Sequence, residues 1–165
     1  MASGRTHDII NLIALPPFLY YLNPSDFIGF TAGYLVGTFF LSPDNDLYHS
    51  IPNKRWKFLK FIWKPYVKLF SHRGISHMPI LGIISKLLYI FVITLIFIGI
   101  LKLIFHFSFA EGEKFLNYSF ENFNYKELIL SPFAVSFFVG LILSEIVHIT
   151  TDIFYSKLKR LKLIR

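Results

Sequence analysis

The chain has 165 residues, 54% hydrophobic and 19% aromatic, and carries a formal net charge of +7. Its mean hydropathy of +0.53 lies far above that of soluble domains and predicts one membrane-embedded domain over residues 1–165. Cysteine is absent, which excludes zinc fingers and iron–sulfur clusters and leaves nitrogen and oxygen as the available metal ligands.

The first apolar run, residues 9–22, contains Pro16-Pro17 and follows Arg5, Thr6, His7 and Asp8, with Thr6 read as the helix cap. A cleaved signal peptide fits poorly, because Arg5 leads directly into His7-Asp8 and no small-residue cleavage site follows. A turn at Asn23-Pro24-Ser25-Asp26 separates this run from the second, residues 27–41. Both are shorter than the ~20 residues that cross a bilayer, so they form either a thin crossing pair or a re-entrant hairpin. Either way the chain returns to its starting side at Pro43-Asp44-Asn45-Asp46.

In residues 54–70 the cations Lys57, Lys60, Lys64 and Lys68 recur at helical spacing, and Trp56, Leu59, Trp63, Tyr66 and Phe70 form another face. This pattern predicts a basic interfacial helix within the loop 42–79, bent or restarted at Pro65. Its tryptophans would lie at headgroup level and its lysines against anionic headgroups. Membrane lipids are therefore the expected partners, and nucleic acid is not. Two long runs follow, residues 80–105 and 128–149, each sufficient to span a membrane. Lys86 and Lys102 fall near the two ends of the first, where their stems can snorkel outward.

Four crossings place the interesting ends together. On that side lie Arg5, Lys54, Arg55, Lys57, Lys60, Lys64, Lys68, Arg73, Lys157, Lys159, Arg160, Lys162 and Arg165, thirteen of the seventeen cations. The positive-inside rule makes it the cytoplasmic face of an inner cell membrane, with both termini cytoplasmic.

Every carboxylate on that face belongs to a motif or adjoins one. Glu145, His148 and Asp152 follow an i, i+3, i+7 pattern that points three ligand-type side chains from one helix face. Glu145 lies just inside an apolar span, where an unpaired carboxylate is costly. His72 and His77 flank Arg73 and Gly74; Ser76 can cap the third helix, leaving His77 in its first turn, better off neutral and hence able to bind metal. Arg73 suits either an anionic substrate or a salt bridge to Asp44 or Asp46. Asp44 and Asp46 read alone as a turn, and convergence with the histidines raises them to ligands. His49 and His106 stand apart from the cluster.

Ser3-Gly4-Arg5-Thr6-His7-Asp8, Ser42-Pro43-Asp44-Asn45-Asp46, Arg55-Trp56, Trp63-Lys64-Pro65-Tyr66, His72-Arg73-Gly74-Ile75-Ser76-His77 and the Glu145–Asp152 segment together resemble a family of prokaryotic membrane proteins described as metal-binding. The resemblance spans nearly the whole chain. More distantly the chain is similar to membrane-bound metal-dependent hydrolases that share the HRG-[ST]-H and PD-x-D elements. His148 and Asp152 also match the H-x-x-x-D pair of zinc-dependent phospholipases C and related nucleases. Those enzymes are secreted and use an N-terminal tryptophan amine, which this chain lacks, so their substrate does not carry over.

The sequence thus predicts an all-α integral membrane bundle of about four helices with a metal site at its cytoplasmic mouth. His7, Asp44, Asp46, His72, His77 and His148 are the expected ligands, with Asp152 a further ligand or supporting partner. The expected cofactor is a divalent ion, zinc first and manganese, iron or nickel as alternatives, two per chain. The favoured activity is hydrolysis of an ester or phosphoester, with Glu145 or Asp8 as general base and Arg73 steadying negative charge. The alternative is a non-catalytic metal carrier or scaffold. Transport fits less well, because the ligands gather at one face and not at the midplane.

Overall fold

A computed structural model describes residues 3–70, 74–105 and 125–162, and in these every regular element is helical. Helix α1 (Gly4–Leu22) is capped by Ser3, whose hydroxyl accepts from the Thr6 amide at 3.2 Å. The cap therefore falls three residues before the Thr6 expected from sequence, and His7 lies within the first turns instead of at the helix edge. Asn23 ends α1 in the left-handed conformation, φ 42°. Helix α2 (Phe27–Phe39) starts at Asp26, which accepts from the Gly29 amide at 2.6 Å.

The long C-terminal helix governs the packing. Numbered in chain order, α3 is Ile51–Arg55, α4 Trp63–Leu69, α5 Pro79–Phe105, α6 Tyr125–Ile129 and α7 Pro132–Arg160. Gly29, Gly33 and Gly37 recur every four residues along α2 and lie against α7. A Cβ at Gly33 would sit 1.9 Å from the Phe137 carbonyl oxygen, and one at Gly140 would sit 2.2 Å from that of Phe30. The two backbones touch, as small residues permit in helices that meet in an apolar environment. Ser136 fastens the far end, accepting from the Asp26 amide at 3.1 Å.

Residues 57–62 form a 3-10 helix between α3 and α4, so the single basic helix expected over 54–70 is three pieces. Lys57 takes φ 51°, which breaks the α-helical path, and Pro65 falls in the first turn of α4, where its missing N–H costs nothing. The aromatic face also turns the other way. Trp63 and Tyr66 are fully buried and build the core with Leu41, Ile83, Tyr89 and Leu141. Burial pushes the Tyr66 hydroxyl up to about 12, against a hydrogen bond with Ser85 at 3.0 Å. Trp56 is half-buried, donating to the Phe40 carbonyl at 3.1 Å. The apolar side chains left exposed here are Phe58, Phe61 and Leu69.

Two helical stretches among the described residues are long and apolar enough to cross a membrane, Pro79–Ile100 and Pro132–Arg160. The four expected crossings reduce to these two candidates: α2 has only 13 residues, and α1 does not meet the same standard. The fourth apolar run, expected to end at 149, continues as helix to Arg160. Lys86 corrects another expectation. It does not snorkel but is completely buried, donating to the Leu41 carbonyl at 2.9 Å and to Glu145 Oε1 at 2.8 Å.

Candidate metal centre

Four separate segments deliver the site: the start of α1, the 3-10 turn Pro43–Asp46, the 3-10 turn Ile75–His77 and the middle of α7. The first turn is held rigidly. Asn45 donates to Asn53 Oδ1 at 2.8 Å, and the Asn53 amide nitrogen donates back to the Asn45 and Leu47 carbonyls at 3.0 and 2.9 Å. Both asparagines are fully buried, so Asp44 and Asp46 point from a locked loop instead of a mobile one.

The ligand-type atoms then converge. His7 Nε2 lies 3.3 Å from Asp152 Oδ1, and His148 Nε2 lies 3.6 Å from Asp44 Oδ1. His77 Nε2 lies 3.9 Å from both Asp44 Oδ1 and Asp152 Oδ2. Two sets of three could each hold an ion, His7 with His148 and Asp152, and Asp44 with His77 and His148. Ligand bonds of about 2.1 Å in a tetrahedral arrangement separate donor atoms by roughly 3.4 Å, close to these spacings. His7 Nε2, His148 Nε2 and Asp44 Oδ1 are buried without a hydrogen-bond partner among the described residues. Converging lone pairs that find no proton donor are what a divalent cation satisfies.

Supporting contacts orient the ring nitrogens on the far side. The Ser42 hydroxyl lies 3.3 Å from His148 Nδ1, and Asp46 Oδ2 lies 3.5 Å from His77 Nδ1. Asp46 also accepts from Ser76 at 2.6 Å. It therefore stands behind His77, in the position of a carboxylate that steers a histidine ligand, instead of among the converging atoms. Ser76, expected to cap the third helix, is spent on this contact, and His77 ends a 3-10 turn two residues before α5 begins. Burial alone would raise the Asp44 carboxyl, but the histidines around it, His148 foremost, outweigh that and hold it below the usual carboxylate range.

The two residues expected as general bases have other partners. Both Asp8 oxygens face the Arg55 guanidinium, which also donates to the Phe39 carbonyl at 3.3 Å. The pair ties α1 to α3 and commits the Asp8 charge there. Glu145 faces α5 with Oε1 on Lys86, and its Oε2 is buried without a partner among the described residues. His72 and Arg73, expected as ligand and charge stabiliser, lie outside the described residues, as does His106. Sequence reasoning missed Ser42, Ser76 and Asn53, which carry no ligand signal of their own. It read Lys86 as snorkelling like Lys102 in the same apolar run, because only the packed structure shows its partner Glu145.

A family model described as "Uncharacterized metal-binding protein (DUF2227)" matches residues 2–162, and the chain belongs to that family. An "Uncharacterized protein" of Aquifex aeolicus (strain VF5) is 44% identical over 142 residues, which cover 84% of this chain and 99% of that protein. No solved structure matches.

Proposed function

We propose that this member of a metal-binding family is a membrane-bound hydrolase that uses a divalent ion to cleave an ester or phosphoester. The observation that carries the reading is the convergence of His7, His77, His148, Asp44 and Asp152 beside an open cavity whose lining includes His77 and Asp152. Nitrogen with carboxylate oxygen suits zinc first and also manganese, iron or nickel. An ion there would supply Lewis acidity toward a substrate oxygen and would acidify a water. Because His148 belongs to both sets and its Nε2 can bind only one ion, the described residues account for one ion fully. A second would draw on His72 or on the two oxygens of Asp152.

Around that ion the chain's own residues act in fixed roles. Asp46 and Ser42 hold the tautomers of His77 and His148. Lys86 holds the Glu145 carboxylate in place against α5, and Glu145 Oε2 remains the carboxylate oxygen available to take a proton. The exposed apolar side chains of α5, among them Leu81, Leu88, Phe91 and Leu95, are each at least half exposed and are best covered by lipid. Lys57, Lys64 and Lys68 beside Phe58 and Phe61 fit anionic headgroups. By the positive-inside rule, the basic loops favour a cytoplasmic position for this face.

A scaffold reading draws on one observation. His7 and His148 are 2 and 3% exposed, and an ion held by them with Asp44 and His77 would staple α1 and α7 to the two loop turns without needing any substrate. Elemental analysis of detergent-purified protein, followed by a panel of phospholipids, alkyl phosphates and chromogenic esters with zinc, manganese, iron and nickel in turn, decides between them. Turnover that disappears with chelation is the expected result. A fully metallated protein with a blank panel would replace the hydrolase by the scaffold.

A further inference from the structure

The last turns of α7 extend past the metal cluster and carry its face onward. Asp152 borders a cavity of about 330 Å³ whose lining also takes in His77, Ile149, Ile153, Ser156, Lys157 and Arg160. The lining thus combines two of the converging residues, His77 and Asp152, with two isoleucines and two cations. Lys157 and Arg160 are exposed, and as part of the helix's basic last turn they also complement its negative end. From sequence alone their only expected role was in setting topology.

We infer that Lys157 and Arg160 form an anion subsite that admits a phosphate ester bearing an aliphatic chain to the metal cluster. A rim of two cations beside a divalent ion balances a dianionic phosphate better than a neutral ester or a monoanionic carboxylate, and arginine adds a planar donor fork matched to phosphate oxygens. Ile149 and Ile153, one turn apart on a helix apolar enough to cross a membrane, give the chain of such a ligand an apolar wall continuous with the bilayer. The inference rests on the hydrolase reading for its reaction but not for its binding, and the two can fail separately.

The test uses the full chain in detergent, metallated, with decyl phosphate, decanol and decanoate as probes followed by calorimetry. Decyl phosphate should bind at least ~30-fold more tightly than decanol, and Lys157→Gln/Arg160→Gln should remove ~10-fold or more of that preference with metal content unchanged. Decanoate should show less than half the logarithmic preference. If the wild type binds decyl phosphate selectively yet hydrolyses no phosphoester, the subsite stands and the hydrolase falls. If phosphoesters are hydrolysed and the double variant keeps both KM and binding, the subsite falls and the hydrolase stands. Equal binding of decyl phosphate and decanol by wild type also overturns the subsite. Should the double variant lose metal, Lys157→Arg, which keeps the charge, must restore it with full phosphate preference; if it does not, the subsite is withdrawn.

Discussion

The imidazole rings of His7 and His148 stack with centroids 3.7 Å apart and planes 9° from parallel, joining the start of α1 to the middle of α7. Two protonated rings would not be held face to face in a buried site, because each would repel the other with little solvent to screen them. The stack is therefore suited to neutral rings, the form in which histidine binds a metal.

His7→Ala and His148→Ala should each lower bound metal to a small fraction of the wild-type value and lower Tm with it. An ion held only by the folded state at a hundredfold excess over Kd contributes about 2.7 kcal/mol, and chelation should cost the wild type a similar amount. His49→Ala, exposed and outside the cluster, should do neither. Elemental analysis and thermal melts report both quantities; metal retained in both cluster variants would remove the site.

The α2–α7 contact makes a second case. Gly33→Ala places a methyl group where backbone already lies, 1.9 Å from the Phe137 carbonyl oxygen, whereas a Cβ at Gly99 meets nothing within 4 Å. The first should cost roughly 1–3 kcal/mol, as overpacked contacts do, and the second should be neutral. Since α2 leads into the Asp44 turn and α7 bears His148, the Gly33 variant should also bind metal more weakly. Equal melting temperatures for the two variants would show that the helices do not touch.

The gathering of the candidate groups was legible in the sequence because positions are visible there: His148 and Asp152 share a face by spacing alone, and His7, Asp44 and His77 sit at the ends of apolar runs. What was not legible depends on who stands opposite. A stripe such as Trp56, Trp63 and Tyr66 is served equally by lipid or by protein, and only the packed structure shows Trp63 and Tyr66 in the core. Asp46 looked equivalent to Asp44 until the turn aimed it at the back of His77. The Gly29, Gly33, Gly37 repeat was readable at four-residue spacing, although its partner at Gly140 was not.

Lys86 and Glu145 form a buried ion pair, so removing one charge strands the other. Lys86→Met or Glu145→Leu alone should cost about 3–5 kcal/mol. The double change Lys86→Met/Glu145→Leu should recover most of that, because two desolvated charges are replaced by apolar side chains of similar size. Denaturant or thermal unfolding of all four proteins completes the cycle. Simple additivity of the single effects would mean that the pair does not interact. If Glu145 also takes a proton in turnover, Glu145→Gln retains metal yet loses ~10²-fold in rate.

Acid should act in two separate windows. The Asp44 carboxyl is held below its ordinary value, so its contribution to stability is complete above about pH 4 and is lost only as pH falls through that lowered value. Metal binding fails earlier, since the histidine ligands must be deprotonated to bind. Titrating from pH 8 downward should release metal while circular dichroism remains helical, with unfolding following only below about pH 4. Release and unfolding that coincide would tie the fold to the ion and favour the scaffold.

The sidedness of the cluster gives the final prediction. Helices α5 and α7 are the two candidate crossings, so the loop before α5 and the segment before α7 belong on opposite faces. The chain has no cysteine, and single cysteines at His49 and Lys126, both exposed, can be labelled without background. In intact bacterial cells an impermeant maleimide should react with Lys126→Cys and reach His49→Cys only after the cells are opened. Labelling of His49→Cys alone in intact cells would invert the orientation, placing the metal face outside and making its substrate an external one. Labelling of both would mean that α5 does not cross, and its apolar surface would then need a protein partner to cover it.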